Sequence, residues 1–432
     1  MTKDRRRGKA PHVGVKRSTV AAYLTAIIFV HAALALLYWH YTPFGASPDE
    51  RPHGRYVQAL TESRTLPAFR ISDREGYEFH QPPLYYLMAV PFYLAGRGLG
   101  VADPAETVRL LSLLLGALSI VIAYAAVRAA FPDEEELPIA VAGFVALLPT
   151  HVMLSSSVSN DPLAEVVFGL TLLAAAGMLV NGPNWRRTIG LGLALGIGLL
   201  TKTTCVLLFP VALLAYLLVW QRRMLSLKSA VGHLAAAIGI GLAIGGWWLA
   251  RNQLLYGDAL AMTQFQEAFQ HTATPDFWLS RGWSWGTYFA LVVVWTFASF
   301  WGVFGHMKVF MPTWTYCGLA AVSLAAGIGF LRGIGRIRAK SAADRDVLLV
   351  YGVTLALVLL AFIKFNLSFF QAQGRYLYPA LIPISVLWAV GIEGLLPVRL
   401  RRFMPFLAVG IPFIVQIVAL VTCIIPRMPH AA

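Results

Sequence analysis

Runs of apolar residues, each close to twenty residues long, recur along the whole chain and are separated by short polar segments. About 20 apolar residues are needed to cross a hydrocarbon core that is roughly 30 Å thick. The pattern therefore predicts an all-α polytopic membrane protein with about eleven transmembrane helices. The predicted spans are residues 19–39, 108–130, 137–154, 162–180, two within 188–220, 230–249, 313–331, 347–363, 376–395 and 406–425.

Basic residues between the apolar runs predict how the chain is oriented. Residues 1–17 are rich in lysine and arginine, and such clusters stay in the cytoplasm. We therefore expect a cytoplasmic tail (1–17), one transmembrane domain (18–426) and an external tail (427–432) in the plasma (inner) membrane. Residues 41–107 then form a long first extracytoplasmic loop with one or two interfacial helices.

Two stretches need a separate interpretation. Residues 188–220 are too long for one upright helix and have arginine pairs at both ends, so we predict a turn at 201–204 with Lys202 near the outer surface. Residues 251–312 form a second extracytoplasmic or re-entrant region. Within it, 288–305 is either a span or a re-entrant segment, and the basic residues that follow Arg332 favour the second alternative.

Composition agrees with a membrane protein and argues against nucleic-acid binding. The chain is 58% hydrophobic and 13% charged, with a mean hydropathy of +0.65. Its net charge of +14 comes from short basic clusters between spans, where they set topology and meet anionic headgroups. The three cysteines form no zinc or disulfide pattern, and we expect them to be small buried side chains.

A polar segment directly after the first span is the strongest candidate for a site. It places Asp49, Glu50, His53 and Arg55 within seven residues beside the membrane. Glu50 fits either a chemical role or a capping box with Ser47 as the helix N-cap. Asp49 fits either a chemical role or an ion pair with a neighbouring arginine of the same segment.

The predicted topology brings further polar residues to the outer face. These are His80, Tyr85, Asn160, Asp161, Lys202, Arg251, Asp258, Gln373, Arg375 and Tyr376. Because ionisable residues concentrate at the outer ends of the spans, chemistry on the extracytoplasmic side is favoured.

Several short motifs occur in a fixed order around these residues. They are Pro-Asp-Glu-x-x-His at 48–53, His-x-Pro-Pro-Leu-Tyr-Tyr at 80–86, Ser-Asn-Asp at 159–161, Leu-Thr-Lys at 200–202, Trp-x-x-Arg-Asn and Tyr-Gly-Asp at 248–258, and Gln-Gly-Arg-Tyr-x-x-Pro at 373–379. The ordered set resembles the GT-C superfamily of polyprenyl-phosphate-dependent glycosyltransferases, in the bacterial branch related to protein O-mannosyltransferases and the lipid A aminoarabinose transferase. We expect no large C-terminal soluble domain, and the sequence has His-Gln-Pro-Pro where His-Pro-Pro is usual in that family. Both departures leave the acceptor class open.

The resemblance implies a GT-C fold and transfer of a sugar from a polyprenyl-phosphate donor, the co-substrate, to an extracytoplasmic glycan, lipid or protein. It assigns the general base to Asp49, which we group with Glu50 as the catalytic acids. Membrane lipid is an expected partner and nucleic acid is not. The alternative is a transporter or flippase of lipid-linked sugars, which would require ionisable residues near mid-span and interrupted helices in both halves. A non-catalytic membrane partner would not need the outer polar residues.

The remaining candidates each have two interpretations. Lys202, Arg251 and Arg375 are suited to bind the donor phosphate, or they extend from helix ends to the membrane surface. His53 orients Asp49, contacts the phosphate or lies in solvent. The same choice between a structural role and substrate binding applies to His80, Tyr85, Asn160, Asp161, Asp258, Gln373 and Tyr376. Asp258 either orders its loop or helps to hold a divalent cation, which the ligand spacing does not imply.

Overall fold

The structure is a computed structural model that describes residues 17–73, 75–269 and 274–430. Most of the predicted cytoplasmic tail and the last two residues of the external tail lie outside these ranges. The α-helices are α1 Arg17–Tyr41, α2 Glu50–Ser63, α3 Leu84–Gly98, α4 Arg109–Ala130, α5 Leu137–Leu147, α6 Pro149–Ser155, α7 Asp161–Asn181, α8 Trp185–Leu199, α9 Leu208–Gln221, α10 Leu227–Tyr256, α11 Met262–Phe269, α12 Pro275–Leu279, α13 Trp285–Trp301, α14 Thr313–Lys340, α15 Ala342–Ser368, α16 Leu381–Leu395, α17 Met404–Ala419 and α18 Ile425–Arg427.

Shorter elements complete the fold. Strands β1 (Val303–Phe304) and β2 (Val309–Phe310) form an antiparallel pair. Helical turns of 3₁₀ type cover Tyr77–His80, Pro104–Val108, Thr203–Leu207, Gly374–Ala380, Val398–Phe403 and Met428–His430, and a π turn covers Leu420–Ile424. The 3₁₀ turns at Tyr77–His80 and Gly374–Ala380 carry site residues.

The predicted all-α membrane architecture is confirmed, although the count of eleven spans is not. Among the described residues, nine helical segments are long and apolar enough to cross a membrane, or ten if the bent pair α5 and α6 counts as one span. The predicted span that is not among them corresponds to α8, which has 15 residues. A helix of that length rises only about 22 Å, less than the hydrocarbon thickness.

The span predicted at 137–154 is broken and not straight. Helices α5 and α6 meet at an angle of 66°. Leu148 lies between them in an extended conformation, directly before Pro149. The proline ring disfavours helical geometry in the preceding residue, which explains why the helix breaks at this point.

The turn predicted in 188–220 is confirmed. Helix α8 ends at Leu199, and a 3₁₀ turn begins at Thr203. Between them Lys202 has an extended backbone. Helix α8 packs closely on α10 through glycines: a Cβ at Gly196 would lie 3.0 Å from the carbonyl oxygen of Gly241. Such small residues let membrane helices approach closely, so α8 is held against α10 where the chain turns.

Residues 41–107, the predicted first extracytoplasmic loop, contain the helices α2 and α3. Their interfacial location stays a prediction. In the second region, α13 is an apolar helix of 17 residues that is followed by the small β-hairpin. Whether α13 spans the membrane or is re-entrant stays open.

Two of the three cysteines are buried as expected, but Cys317 is exposed. It lies on α14, where the large apolar residues Trp314 and Leu324 are also exposed. An outward-facing surface of a membrane helix is apolar because lipid surrounds it, so a small thiol is suited to an exposed position there. The expectation of burial was therefore wrong for this residue.

A buried ion pair joins the first loop to the helix bundle. The Arg109 guanidinium donates to both carboxylate oxygens of Glu50, at 2.7 and 2.9 Å, and neither side chain is exposed. Arg109 also donates to the carbonyl oxygens of Trp39, Thr42 and Pro43. The end of α1 and the start of α2 are thereby fixed to the first turn of α4.

We expect Glu50→Ala to lower the free energy of unfolding by about 3–5 kcal/mol, because it leaves the Arg109 charge buried without a carboxylate. The measurement is unfolding of the purified protein in detergent. Glu106→Ala is the matched control: this acid lies 3.9 Å from Arg109, but 37% of its side chain is exposed. Its loss also removes a hydrogen bond from Trp39 at 3.0 Å, but since solvent screens its charge, the total cost should be about 1 kcal/mol. Equal losses in the two variants would contradict a structural role for the buried pair.

Candidate active site

A chain of alternating charges forms at one end of the helix bundle. The Arg375 guanidinium donates to the Asp49 carboxylate and lies 3.5 Å from Asp161, and the Lys202 ammonium donates to Asp161. The four residues come from the start of α2, the start of α7, the turn before α9 and the turn before α16. Of the three cations expected to bind the donor phosphate, Lys202 and Arg375 therefore lie in one cluster with Asp49, with Asp161 between them, whereas Arg251 lies elsewhere.

Asp49 is directed toward this cluster by an unusual backbone conformation. Its φ and ψ of 60° and 8° lie in the left-handed region, which Asp tolerates better than most residues. Its side chain does not cap α2, although it occupies the N-cap position. It accepts hydrogen bonds from Arg375 and from the Tyr77 hydroxyl. Backbone outliers of this kind cluster at functional sites, where the surrounding structure maintains them.

The charge state of Asp49 depends on its partners. Burial by itself would raise the pKa of this carboxyl, but the charge and hydrogen bond of Arg375 outweigh burial and hold its pKa well below the usual range. Asp49 is also the most accessible member of the cluster: 29% of its side chain is exposed, against 9% for Asp161 and 5% for Arg375. It is thus an ionised carboxylate that a molecule from outside can reach.

Glu50, its neighbour, has a different role from the catalytic one predicted. Besides the contacts from Arg109, its oxygens accept hydrogen bonds from the backbone N–H groups of Gly45 and Val158, at 2.8 and 3.0 Å. No oxygen of this buried carboxylate is left free for a substrate. The capping-box interpretation is also wrong, since α2 begins at Glu50 and the Ser47 hydroxyl has no hydrogen-bond partner among the described residues.

Asn160 and Asp161 stand at the start of α7, as the sequence predicted for a helix N terminus. The Asn160 side chain is 1% exposed, and its amide has no partner within the described part of the chain. A buried amide without a partner is costly, and a bound ligand or water can satisfy it. Asp161 therefore belongs to the cluster as well as beginning the helix, and Asn160 places a buried amide without a partner directly before it.

The motif at 373–379 forms a platform for Arg375. Gln373 accepts a hydrogen bond from Nε of Arg375 at 2.9 Å, and the guanidinium lies 5.2 Å from the Tyr376 ring. A Cβ at Gly374 would come within 2.2 Å of the Phe300 backbone nitrogen. Only glycine fits this contact with α13, so the motif is constrained by packing as well as by charge.

Two residues beside Asp49 were not among the predicted candidates. Tyr77 donates to Asp49, and Glu78 is 6% exposed, with its Oε2 atom 3.8 Å from Nδ1 of His53. Burial and, secondarily, the charge of Asp49 raise the pKa of Glu78 to about 8. The signal for both was weak: they lie just before the motif at 80–86, in a stretch without clear periodicity.

The two candidate histidines are buried and not solvated. Nδ1 of His53 lies 2.8 Å from the Tyr86 hydroxyl. His80 contacts the carbonyl oxygen of Tyr77 and the side-chain amide of Gln81. Burial lowers the pKa of His53 to about 3 and that of His80 to about 4, so both are neutral. His80 holds the turn that carries Tyr77 and Glu78, and a neutral His53 is no cation for a phosphate.

Tyr85 supports the site from behind and does not line it. Its hydroxyl pairs with Ser112 at 2.8 Å and accepts a hydrogen bond from the backbone N–H of Ser159 at 3.1 Å. The ring is fully buried. Tyr85 therefore positions the turn that leads to Asp161. Of the two interpretations of this residue, the structure favours the structural role over substrate binding.

Three predicted residues do not join the cluster. Arg55 is exposed and pairs with Asp73 and Glu75. The Arg251 guanidinium stacks on Trp248 at 4.6 Å and donates to carbonyl oxygens at residues 66–67. Asp258 accepts backbone hydrogen bonds within its own loop, at residues 260 and 263. Each of the three residues lies near a helix end, as its motif predicted. Its side chain, however, contacts these local partners and not the cluster.

Within the described ranges, no group of three or more His, Cys, Asp or Glu side chains is placed to hold a metal ion. Of the acids in the cluster, Asp49 and Asp161 are paired with Arg375 and Lys202.

Sequence comparison gives two matches. Residues 80–248 match the family model described as dolichyl-phosphate-mannose-protein mannosyltransferase. The undecaprenyl phosphate-alpha-4-amino-4-deoxy-L-arabinose arabinosyl transferase of Pseudomonas paraeruginosa (strain DSM 24068 / PA7) is 27% identical over 243 residues, which cover 55% of this chain. The match spans only 42% of that relative's length.

Structural comparison shows the same fold in two solved proteins. ArnT from Cupriavidus metallidurans, bound to undecaprenyl phosphate, superposes with a TM-score of 0.52 at 14% identity, over 96% of this chain and 78% of ArnT. The Archaeoglobus fulgidus oligosaccharyltransferase tethered to an acceptor peptide gives 0.53 at 13% identity, over 91% and 55%. The chain is thus similar to the mannosyltransferase family model over residues 80–248 and shares the fold of these two solved membrane proteins.

Proposed function

We propose that this protein transfers a sugar from a polyprenyl-phosphate-linked donor to an acceptor hydroxyl at the extracytoplasmic face of the inner (plasma) membrane. The observation that carries the proposal is the Asp49–Arg375–Asp161–Lys202 cluster at one end of a GT-C bundle. The donor is the co-substrate, membrane lipid surrounds the protein, and the acceptor is an external glycan, lipid or protein.

The two cations of the cluster are suited to the donor phosphate. A guanidinium binds phosphate oxygens through paired N–H groups, and an ammonium acts as a compact point charge. Both Arg375 and Lys202 are held by carboxylates, and 14% of the Lys202 side chain is exposed. An entering phosphate can therefore exchange with Asp49 or Asp161 as the anionic partner of these cations.

A recess beside Lys202 is suited to the lipid part of the donor. It is small and is lined mainly by apolar groups, including Leu199, Val206, Trp248 and Leu249. An isoprenoid chain gains free energy by burying its surface against such side chains. The phosphate would then lie at Lys202 with its lipid chain in this recess.

Asp49 acts as the general base. The acceptor oxygen attacks the anomeric carbon, its proton passes to Asp49, and the bond between that carbon and the phosphate oxygen breaks. The polyprenyl phosphate leaves with the bonding electrons. When the donor phosphate draws Arg375 away, burial dominates and the pKa of Asp49 rises, which makes it a better proton acceptor.

We expect Asp49→Asn to lower sugar transfer by about 10²–10⁴-fold, because the amide cannot accept the acceptor's proton. Transfer is measured in proteoliposomes with a labelled polyprenyl-phosphate sugar and an added acceptor extract. Asp133→Asn is the matched control, since this acid is exposed and far along the chain, between α4 and α5. Its activity should equal that of the wild type.

Undiminished transfer by Asp49→Asn would contradict the role of the base. The same proteoliposomes test the alternative of a flippase: a labelled donor that crosses the bilayer without being consumed would show translocation and not transfer. Activity with a soluble nucleotide-sugar and no lipid donor would also count against the proposed function.

Arg375→Gln should shift the pH dependence of transfer. In the wild type Asp49 stays ionised well into the acid range, because Arg375 lowers its pKa. Without the cation burial raises that pKa, so the base becomes protonated and kcat/KM falls at a higher pH than in the wild type. Arg375→Lys keeps the charge, so its kcat/KM should fall at the same acid pH as that of the wild type, even where donor binding weakens. Identical acid limbs in wild type and Arg375→Gln would show that this ion pair does not set the charge of Asp49.

A further inference from the structure

Glu78 is a buried acid beside the cluster. It has no role in the proposed mechanism of transfer. It lies in the 3₁₀ turn Tyr77–His80, next to the tyrosine that donates to Asp49. The charges of Asp49, Lys202, Arg375 and Asp161 all act on it. Glu78 therefore lies within electrostatic range of the four charged groups.

The surroundings of Glu78 disfavour a negative charge on balance, because burial and the charge of Asp49 outweigh Lys202 and Arg375, which lower its pKa. Its Oε2 atom is buried and accepts no hydrogen bond from any residue that the structure describes. Within the described residues, the basic side chain in contact with Glu78 is His53, whose Nδ1 lies 3.8 Å from Oε2, beyond hydrogen-bond distance. The ring of His53 is neutral because burial lowers its pKa to about 3. A buried carboxylate without a cation or donor is costly, whereas a neutral carboxylic acid is not.

The charges in the cluster lead to the same conclusion. Asp49 and Asp161 balance Lys202 and Arg375, so the four groups carry no net charge together. An ionised Glu78 would make the site negative and would repel the phosphodiester of a lipid-linked donor. A neutral Glu78 adds no charge and has an O–H group to offer to a phosphate oxygen. Two acids in one site with opposite protonation states are a common basis for acid and base roles.

We propose that Glu78 carries a proton in the resting enzyme and donates a hydrogen bond from its carboxyl group to the phosphate of the lipid-linked donor. The inference rests on the proposed function, since it assigns a binding residue for the donor phosphate in the same site. Asp49 is then the ionised acid that faces the acceptor, and Glu78 is the neutral acid that faces the phosphate.

The groups around Glu78 define the pH range of a test. From α2 it meets Asp49 and His53, and from the other elements Asp161, Lys202 and Arg375. The tyrosines Tyr56, Tyr77, Tyr86 and Tyr376 also interact with it electrostatically. Helix α11, which packs on the same turn, contributes Phe265 and Phe269, while its Glu267 is exposed. Since the pKa of Glu78 is about 8, its proton is present at neutral pH and is lost above pH 8.

The experiment compares wild type with Glu78→Gln and Glu78→Ala in detergent. Glutamine keeps the shape and the donor of a protonated acid but cannot ionise, whereas alanine lacks the donor. We measure the affinity for undecaprenyl phosphate between pH 6 and 9.5, together with sugar transfer. Glu75→Gln is the matched control, because 79% of that side chain is exposed.

We expect wild-type affinity to fall as pH rises through about 8, and Glu78→Gln to bind within about 3-fold of wild type at pH 7 without that fall. Glu78→Ala should bind about 10–100-fold more weakly, as for loss of a hydrogen bond to a charged group. Ionisation of the probe phosphate is common to all variants, so the difference between wild type and Glu78→Gln isolates Glu78. The infrared carbonyl band of a protonated carboxyl group should also disappear in Glu78→Gln.

Three results would overturn the inference. Glu78→Gln could bind as weakly as Glu78→Ala while eluting as a folded protein, which would show that the ionised form is needed. All variants could bind like wild type, which would remove Glu78 from the site. The fall in affinity for undecaprenyl phosphate at alkaline pH could persist in Glu78→Gln. This result can be obtained even if Glu78→Ala does not fold. If wild type binds the probe with the expected pH dependence but transfers no sugar, the proposed function fails while the role of Glu78 toward phosphate stands.

Discussion

The ion pair of Arg375 with Asp49 is the contact on which the rest of the site depends. It joins residues 326 positions apart in the sequence. Asp49 and Asp161 would repel each other at the poorly solvated end of the bundle if no cation stood between them. Arg375 reaches both, so the starts of α2 and α7 can lie side by side. The position of Arg375 depends in turn on Gly374, whose close contact with α13 leaves no room for a Cβ.

The neighbouring acids Asp49 and Glu50 divide two tasks between them. The left-handed backbone at Asp49 turns its carboxylate toward Arg375, while Glu50 enters the bundle and meets Arg109. All partners of Glu50 are buried and well aligned, which fixes the start of α2. The Asp49 pair is partly exposed, so it can be exchanged for a ligand. The fixed carboxylate of Glu50 thus holds its neighbour Asp49 in the position that the proposed function requires.

Much of this arrangement was predictable from the sequence, and the failures have a common physical cause. The hydrophobic runs predicted the helices, and the length of 188–220 predicted the turn at Lys202. The basic loop residues predicted the end of the bundle where polar residues meet. A motif near a helix end does not determine which way a side chain points. Arg251 and Arg55 turn toward local carbonyl or carboxylate groups, and Tyr85 turns into the core. Arg109 was detectable as a charge inside an apolar run, whereas Glu78 had no pattern to mark it.

The energetics of buried charges explain why such a cluster favours ligand exchange over rigidity. Removing two charges from water costs nearly as much as their attraction returns, so a buried ion pair contributes little net stability unless all its hydrogen bonds are made. The Glu50–Arg109 pair meets that condition, since five further backbone groups contact it. The Arg375 and Lys202 pairs have fewer partners, and one Asp161 oxygen makes no hydrogen bond among the described residues. In the proposed function, their carboxylates are exchangeable anions that keep two cations charged and in place until a phosphate replaces them.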